Sequence, residues 1–160
     1  MAQDSQSAPA QSSVNSFSDF LASPQKMVEC TENQLRSMSP LTLAYVGDAV
    51  YELFVRSRLL VPPQQVRIFH RQVVGHVRAE QQAGYLECLL PYLSDEEKDI
   101  LRRARNAASG RKVRSSLRDY RQATALEALL GYLYLTDIQR LIEVLNYLPI
   151  APEPLSVSSS

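Results

Sequence analysis

Apolar residues recur at spacings of three and four residues through most of the chain. The same region has no sustained alternation of apolar and polar positions and no Asn-Gly or Asp-Gly turn. Spacings of three and four place side chains on one face of an α-helix. Residues 1–23 are dominated by Ser, Gln and Ala, and residues 151–160 by Ser and Pro, so both ends are predicted to be flexible tails. The pattern therefore predicts one all-α domain over residues 24–150.

Start and stop signals divide this domain into helices. Ser39 is a good N-cap and is followed by Pro40, which suits the first position of a helix. The helix is predicted to run to about Leu60, because Pro62 and Pro63 cannot continue it. These prolines open the next helical segment.

The second segment reaches about residue 91, with Gly75 or Gly84 as its expected breaks. Ser94 and Glu97 have the spacing of a capping box, which predicts a helix that ends near residue 108. The remaining elements are predicted to be a loop over 109–117 and two helices over about 118–135 and 137–147.

The composition is that of one ordinary folded domain. The chain has 160 residues with 17 Lys or Arg and 17 Asp or Glu, so its formal net charge is zero. Apolar residues make up 45% of it, which suffices for a buried core and excludes wholesale disorder. No stretch approaches the roughly 20 apolar residues that span a bilayer, so no membrane partner is expected.

Cysteine usage and the first residues bear on the compartment. Cys30 and Cys88 are far apart and outside any Cys-x-x-Cys pair, so they are predicted to be free thiols without a zinc or redox motif. Residues 1–23 match neither a signal peptide nor a typical transit peptide. These features predict a cytoplasmic protein, with the plastid stroma as the alternative if the source is a plant.

Two apolar segments each carry an acid beside a glycine. Residues 41–55 are apolar nearly all round and are predicted to be buried, which would leave Asp48 in need of a partner. Gly47 precedes it, and Glu127 has Gly131 one turn away, so close approach of two helices is expected. If these helices pack together, Asp48 and Glu127 could share a Mg²⁺ ion. From the residues alone, a structural polar network remains the other interpretation.

Basic residues cluster in the second half of the chain. Residues 102–121 hold eight of them against one acid, Asp119, which gives a net charge of +7 and leaves −7 for the rest. Such a cluster favours binding to a phosphate backbone over a solvated, salt-bridging face opposite the acids of residues 95–99. His70 and Arg71 are further candidates for phosphate contact. The basic residues of the cluster are Arg102, Arg103, Arg105, Arg111, Lys112, Arg114, Arg118 and Arg121.

At this point a family resemblance becomes visible. Residues 43–56, LAYVGDAVYELFVR, resemble the signature helix of the ribonuclease III family. The segments 102–110, 119–121 and 124–135 extend the resemblance in the same order along the chain. Together they are similar to the short Mini-ribonuclease III branch, which lacks a double-stranded RNA-binding domain.

The resemblance implies a homodimeric, all-α endonuclease domain with a cleft for double-stranded RNA. Asp48 and Glu127 match the metal-binding and catalytic Asp and Glu of the family. The implied reaction is Mg²⁺-dependent phosphodiester hydrolysis, with Mn²⁺ as a substitute, that leaves 5′-phosphate ends. The implied substrate is precursor 23S ribosomal RNA and not DNA, and assistance by a ribosomal protein stays open.

The chain also departs from the longer ribonuclease III enzymes. It has Leu41, Ala44 and Thr124 where they carry further carboxylates, so the number of bound metals is left open. A catalytically silent RNA-binding or ribosome-associated protein on the same scaffold is the alternative function. Retention of both Asp48 and Glu127 favours the enzyme, because a protein that only binds gains nothing from two costly carboxylates.

Overall fold

The computed structural model describes residues 30–109 and 116–151. Within these residues every regular element is a helix, so the predicted all-α fold is confirmed. Both predicted tails lie largely outside the described residues. The elements are α1 (Glu32–Ser37), α2 (Pro40–Leu59), α3 (Val66–Val77), α4 (Ala79–Leu89), a 3₁₀ turn (Leu90–Tyr92), α5 (Asp95–Ala107), α6 (Leu117–Thr136) and α7 (Ile138–Asn146).

Two predicted helix starts are confirmed in detail. Ser39 caps α2 by accepting a hydrogen bond from the backbone N–H of Thr42 at 3.1 Å. The capping box of α5 is complete: the Ser94 hydroxyl accepts from the N–H of Glu97, and the Glu97 carboxylate accepts from the N–H of Ser94 at 2.8 Å. Local capping chemistry therefore sets these boundaries.

The predicted break at Gly75 or Gly84 is wrong. Both glycines lie inside helices, and the chain bends at Arg78, whose extended backbone (φ −67°, ψ 146°) ends α3 and begins α4. The bend lets Val73 of α3 and Leu86 of α4 both reach the core. Tertiary packing thus outweighs the mild local cost of a helical glycine.

The core is built around α2 and α6, which cross one another and form the largest helix pair in the described structure. Helices α4 and α5 pack on α6, and α3 packs on α2. Helix α6 is buried along most of its length, as expected for an apolar helix at the centre of a domain.

Glycines allow α2 and α6 to touch backbone to backbone. A Cβ atom added at Gly47 would lie 1.7 Å from the carbonyl oxygen of Glu127. A Cβ added at Gly131 would lie 2.0 Å from the carbonyl oxygen of Leu43. The close approach predicted from the two glycines is therefore confirmed, and it is reciprocal.

The prediction that α2 is buried all round is wrong. One face carries fully buried side chains, among them Tyr51 and Val55. The opposite face leaves Tyr45 84% and Leu53 67% exposed. The helix is apolar on more faces than α6 and α3 cover within one chain. No helix among the described residues is long and apolar enough to cross a bilayer.

Gly47→Ala should strongly destabilise the protein, because the new methyl group would overlap a backbone carbonyl that cannot rotate away. Severe overpacking of this kind costs about 3 kcal/mol or more. Gly84→Ala is the matched control: it is also helical and meets nothing within 4 Å, so it should be neutral or stabilising by up to about 1 kcal/mol. Urea unfolding of both variants measures the free energy of unfolding. Equal changes in the two variants would contradict the close contact between α2 and α6 at Gly47.

Candidate active site

The crossing of α2 and α6 brings Asp48 and Glu127 into one electrostatic neighbourhood. Gly47, whose backbone lies against the carbonyl of Glu127, directly precedes Asp48. The Asp48 carboxylate is close enough to raise the pKa of Glu127. The structure therefore brings together the two acids that the sequence singled out.

Asp48 is exposed, so its predicted burial is wrong. It lies one residue beyond the buried Gly47, where the surface of α2 turns away from α6. Partial burial raises the pKa of Asp48, and the charge of Glu52 one turn further raises it again. Glu52 is itself paired with Arg56 at 2.6 Å. Asp48 thus offers a carboxylate that solvent and ligands can reach.

Glu127 is the more deeply placed of the two acids. Burial raises its pKa to about 7, the Asp48 charge adds to the rise, and a hydrogen bond from Gln82 opposes it. In that bond the Gln82 Nε2 donates to Glu127 Oε1 at 3.1 Å. Near neutral pH this carboxyl group is therefore close to its titration midpoint.

Sequence reasoning missed Gln82, which is 3% exposed. The signal was present: Gln82 shares a helical stripe of α4 with Tyr85, Leu86 and Leu89, and it is the polar member of that apolar stripe. A second bond runs from its Nε2 to the carbonyl oxygen of Val77 at 3.1 Å. The Gln82 amide thus links the end of α3 to the acid on α6.

Hydrogen bonds join Tyr51, His76 and Tyr85, and Tyr51 lies within electrostatic reach of Glu127. The buried Tyr51 hydroxyl donates to the carbonyl oxygen of His76 at 2.9 Å. The His76 Nδ1 is hydrogen-bonded to the Tyr85 hydroxyl, and the two rings are stacked. Burial, with smaller contributions from Tyr85 and Glu127, raises the pKa of Tyr51. Tyr51 therefore stays neutral.

The donor set around the acids suits a hard, partly hydrated cation. Within residues 30–109 and 116–151 neither Asp48 nor Glu127 forms an ion pair. No group of three or more His, Cys, Asp or Glu that could cage a metal is found in that part of the chain. Thr124, three residues before Glu127, adds no charge to the site, and its hydroxyl donates to the Tyr120 carbonyl. Two carboxylates without a cage fit Mg²⁺, which keeps several water ligands.

Three of the predicted basic residues gather in a depression between α5 and α6. Arg105 donates to the Gln122 side chain at 3.1 Å, and Arg121 donates to the carbonyl oxygen of Ala108 at 3.2 Å. Arg118 pairs with Glu87 at 2.9 Å on the surface. The depression has a volume of about 430 Å³ and is lined by Arg105, Leu117, Arg118, Arg121 and Gln122.

The basic depression is separate from the acid pair. Nine residues separate Arg118 from Glu127, which places their side chains on opposite faces of α6. Arg121 lies roughly 120° around the helix from Glu127. The basic depression and Glu127 therefore lie on different faces of α6.

The other basic candidates are distributed differently. Arg102 and Arg103 both pair with Asp99, at 2.6 and 3.2 Å, so the salt-bridging alternative is realised at these two positions. His70 and Arg71 are exposed on α3. The predicted loop residues Arg111, Lys112 and Arg114 lie outside the described residues.

Comparison with known proteins agrees with this architecture. The ribonuclease III domain family matches residues 41–137. The chain is 54% identical to a protein named Mini-ribonuclease 3 from Thermosynechococcus vestitus, over 69% of this chain and 74% of that protein. It is also 54% identical to a Mini-ribonuclease 3 from Synechocystis sp., over 69% of this chain and 78% of the relative. A crystal structure of a Fusobacterium nucleatum protein is similar with a TM-score of 0.65 and 31% identity, over 69% of this chain and 91% of that protein.

Glu127→Gln should flatten the pH dependence of stability in metal-free protein. Because the folded state raises the pKa of Glu127 from 4.5 to about 7, it favours the protonated acid. The resulting stabilisation is full below the unfolded pKa and is lost as the pH rises through the folded pKa, by up to about 3 kcal/mol. Urea unfolding in EDTA across this range measures the free energy of unfolding. Parallel curves for wild type and variant would show that Glu127 is not the titrating group.

Proposed function

This chain belongs to the ribonuclease III family and is an endoribonuclease, and we propose that it cleaves double-stranded RNA by Mg²⁺-dependent hydrolysis at Asp48 and Glu127. The observation that carries the proposal is a pair of acids on two crossing helices. The two carboxylates influence one another electrostatically, and neither has an ion-pair partner in the described residues. Two such carboxylates repel one another unless a cation or a proton lies between them.

The roles of the two acids follow from their surroundings. Asp48 and Glu127 would hold the Mg²⁺. When bound, the ion supplies a nucleophilic water at neutral pH and stabilises charge on the phosphate, and Mn²⁺ can substitute because it accepts the same oxygen ligands. Exposed Asp48 leaves the site open to an RNA phosphate. Glu127 has a pKa of about 7 without metal, so it releases a proton when it takes up the cation.

The exposed basic residues would bind the RNA. The depression of Arg105, Arg118 and Arg121 would contact phosphates of the duplex away from the cut, and His70 and Arg71 would contact phosphates from α3. The pairs of Arg102 and Arg103 with Asp99 are exposed and individually weak, so a phosphate can displace the aspartate. Arg111, Lys112 and Arg114 enter this proposal on their sequence alone.

Contacts of this type do not read base sequence. A-form RNA presents its phosphates and 2′-hydroxyls, and duplexes are recognised mainly by shape. Resemblance to the Mini-ribonuclease III branch supports the narrower proposal that the substrate is precursor 23S ribosomal RNA, with a ribosomal protein as a candidate assistant.

Asp48→Asn should abolish cleavage of double-stranded RNA in Mg²⁺ while it leaves folding and RNA affinity nearly unchanged. The amide keeps the size of the side chain and removes the charge that holds the cation. The loss in kcat should exceed the roughly 10–100-fold cost of changing an outer-shell partner of a metal ligand. Cleavage assays on duplex RNA and on precursor 23S RNA, with thermal melting and filter binding of the same samples, measure all three properties.

A double variant tests the RNA-binding surface separately from the metal site. Arg118→Ala with Arg121→Ala should weaken RNA binding and flatten its salt dependence by about one unit of slope per lost phosphate contact. Arg36→Ala with Lys98→Ala removes the same charge from exposed positions outside the depression and should weaken binding less. Equal RNA binding by the two double variants would show that the depression is not part of the RNA-binding surface.

For the preceding prediction, undiminished cleavage by Asp48→Asn would refute the proposed metal site.

The exposed apolar face of α2 supports a homodimer as part of the proposal. Leu41, Tyr45, Ala49 and Leu53 follow one another at intervals of four residues along this helix. Tyr45, Ala49 and Leu53, together with Tyr134 of α6, line an apolar groove of about 360 Å³. A continuous apolar face of this kind is typical of a surface that a second copy covers. Asp48 is on the same helix, so dimerisation through this face would bring two acid pairs near one another.

Tyr45→Asp should convert the dimer to a monomer, because it places a charge at the centre of the apolar face. Ile142→Asp is the control: Ile142 is also exposed, but it lies on α7 and does not line the groove of that face. Sedimentation velocity measures the mass of each variant, and thermal melting reports whether it folds. A folded Tyr45→Asp variant that stays dimeric would exclude this face as the interface.

A further inference from the structure

Gln82 presents a buried polar atom that the fold does not satisfy. Its side chain is 3% exposed, and its Oε1 has no hydrogen-bond partner among the described residues. Buried side-chain oxygens almost always have a partner, because leaving one unpaired costs free energy. The position lies on an apolar stripe of α4 where a leucine or methionine would pack without this cost.

The orientation of the Gln82 amide is set by its two hydrogen bonds. Nε2 donates to the carbonyl oxygen of Val77 and to Glu127 Oε1, both at 3.1 Å. The Val77 carbonyl can only accept a hydrogen bond, so a flipped amide would place the Gln82 oxygen against the carbonyl oxygen. The unpaired atom is therefore the Oε1.

This oxygen lies beside the acid pair. In a planar amide the oxygen and nitrogen share one carbon, with bonds of roughly 1.2 and 1.3 Å, so Gln82 Oε1 lies no more than about 5.6 Å from Glu127 Oε1. That separation suits a water that is bound to an ion at Glu127. Mg²⁺ retains several waters, and each of them needs hydrogen-bond acceptors around it.

We propose that Gln82 is a positioning residue of the metal site. Its Nε2 holds the Glu127 carboxylate in place, and its Oε1 accepts a hydrogen bond from a water of the hydrated Mg²⁺. This inference rests on the proposed function, because it requires a cation at Asp48 and Glu127. The same amide thus has two roles. Its nitrogen orients Glu127, the protein ligand of the ion, and its oxygen accepts from a water ligand of the ion.

The test measures Mg²⁺ binding directly, by calorimetric titration of MgCl₂ into RNA-free protein. Gln82→Met keeps the length and volume of the side chain and removes both hydrogen-bonding atoms. It should raise the Kd for Mg²⁺ by roughly 10–100-fold, as loss of an outer-shell partner does, and leave the Kd for RNA in EDTA unchanged. Gln139→Met, at an exposed glutamine of α7, should leave both constants unchanged.

A second variant keeps the proposal testable if Gln82→Met folds poorly. Gln82→Glu retains acceptor oxygens but loses the donor and adds a charge beside Glu127. Its Tm in EDTA should fall below that of the wild type, and MgCl₂ should raise its Tm by more than it raises that of the wild type. If the Gln82 side chain does not face the bound ion, MgCl₂ would instead raise the Tm of the variant and of the wild type equally.

The outcomes separate this inference from the proposed function. If Asp48→Asn loses Mg²⁺ binding while Gln82→Met retains the wild-type Kd, the positioning role is refuted and the metal site stands. An equal Mg²⁺-induced rise in Tm for Gln82→Glu and wild type refutes it in the same way. If wild type and Asp48→Asn bind Mg²⁺ alike, or neither binds it, the proposed metal site fails and this inference fails with it.

Discussion

The contact between the backbones of α2 and α6 is the constraint on which the rest of the structure depends. Gly47 and Gly131 each receive a carbonyl group of the opposite helix, so the two axes approach more closely than side chains would allow. Because Asp48 follows one glycine and Glu127 lies one turn before the other, the same contact sets the spacing of the acids. The packing of the core and the chemistry of the site are thus one arrangement.

Much of this arrangement was predictable from local patterns, and the remainder was not. Ser39, the Ser94–Glu97 box and the two glycines act through their immediate neighbours or through one close approach, and the structure has them as predicted. The exposure of Asp48 depends on where α2 leaves α6. The apolar content of α2 could not show that only part of its surface is covered.

Gln82 and the charge distribution illustrate the same limit. A lone glutamine in an apolar stripe was visible in the sequence, but its partner Glu127 is 45 residues away, and only the packing of α4 on α6 joins them. The basic cluster was also visible as a block. In the fold, Arg118 and Arg121 line a depression, whereas Arg102 and Arg103 each form a salt bridge with Asp99. The depression lies off the face of α6 that carries Glu127.

The bend at Arg78 affects the geometry of the proposed active site. Were α3 and α4 one continuous helix, the carbonyl of Val77 would accept from the N–H of the residue four positions later and would be closed to side chains. The interruption frees that carbonyl, and Gln82 uses it as the second anchor of its amide. A distortion of main-chain regularity is therefore an orienting element of the acid site, and a variant that straightened the bend would misalign Glu127 without altering any residue around it.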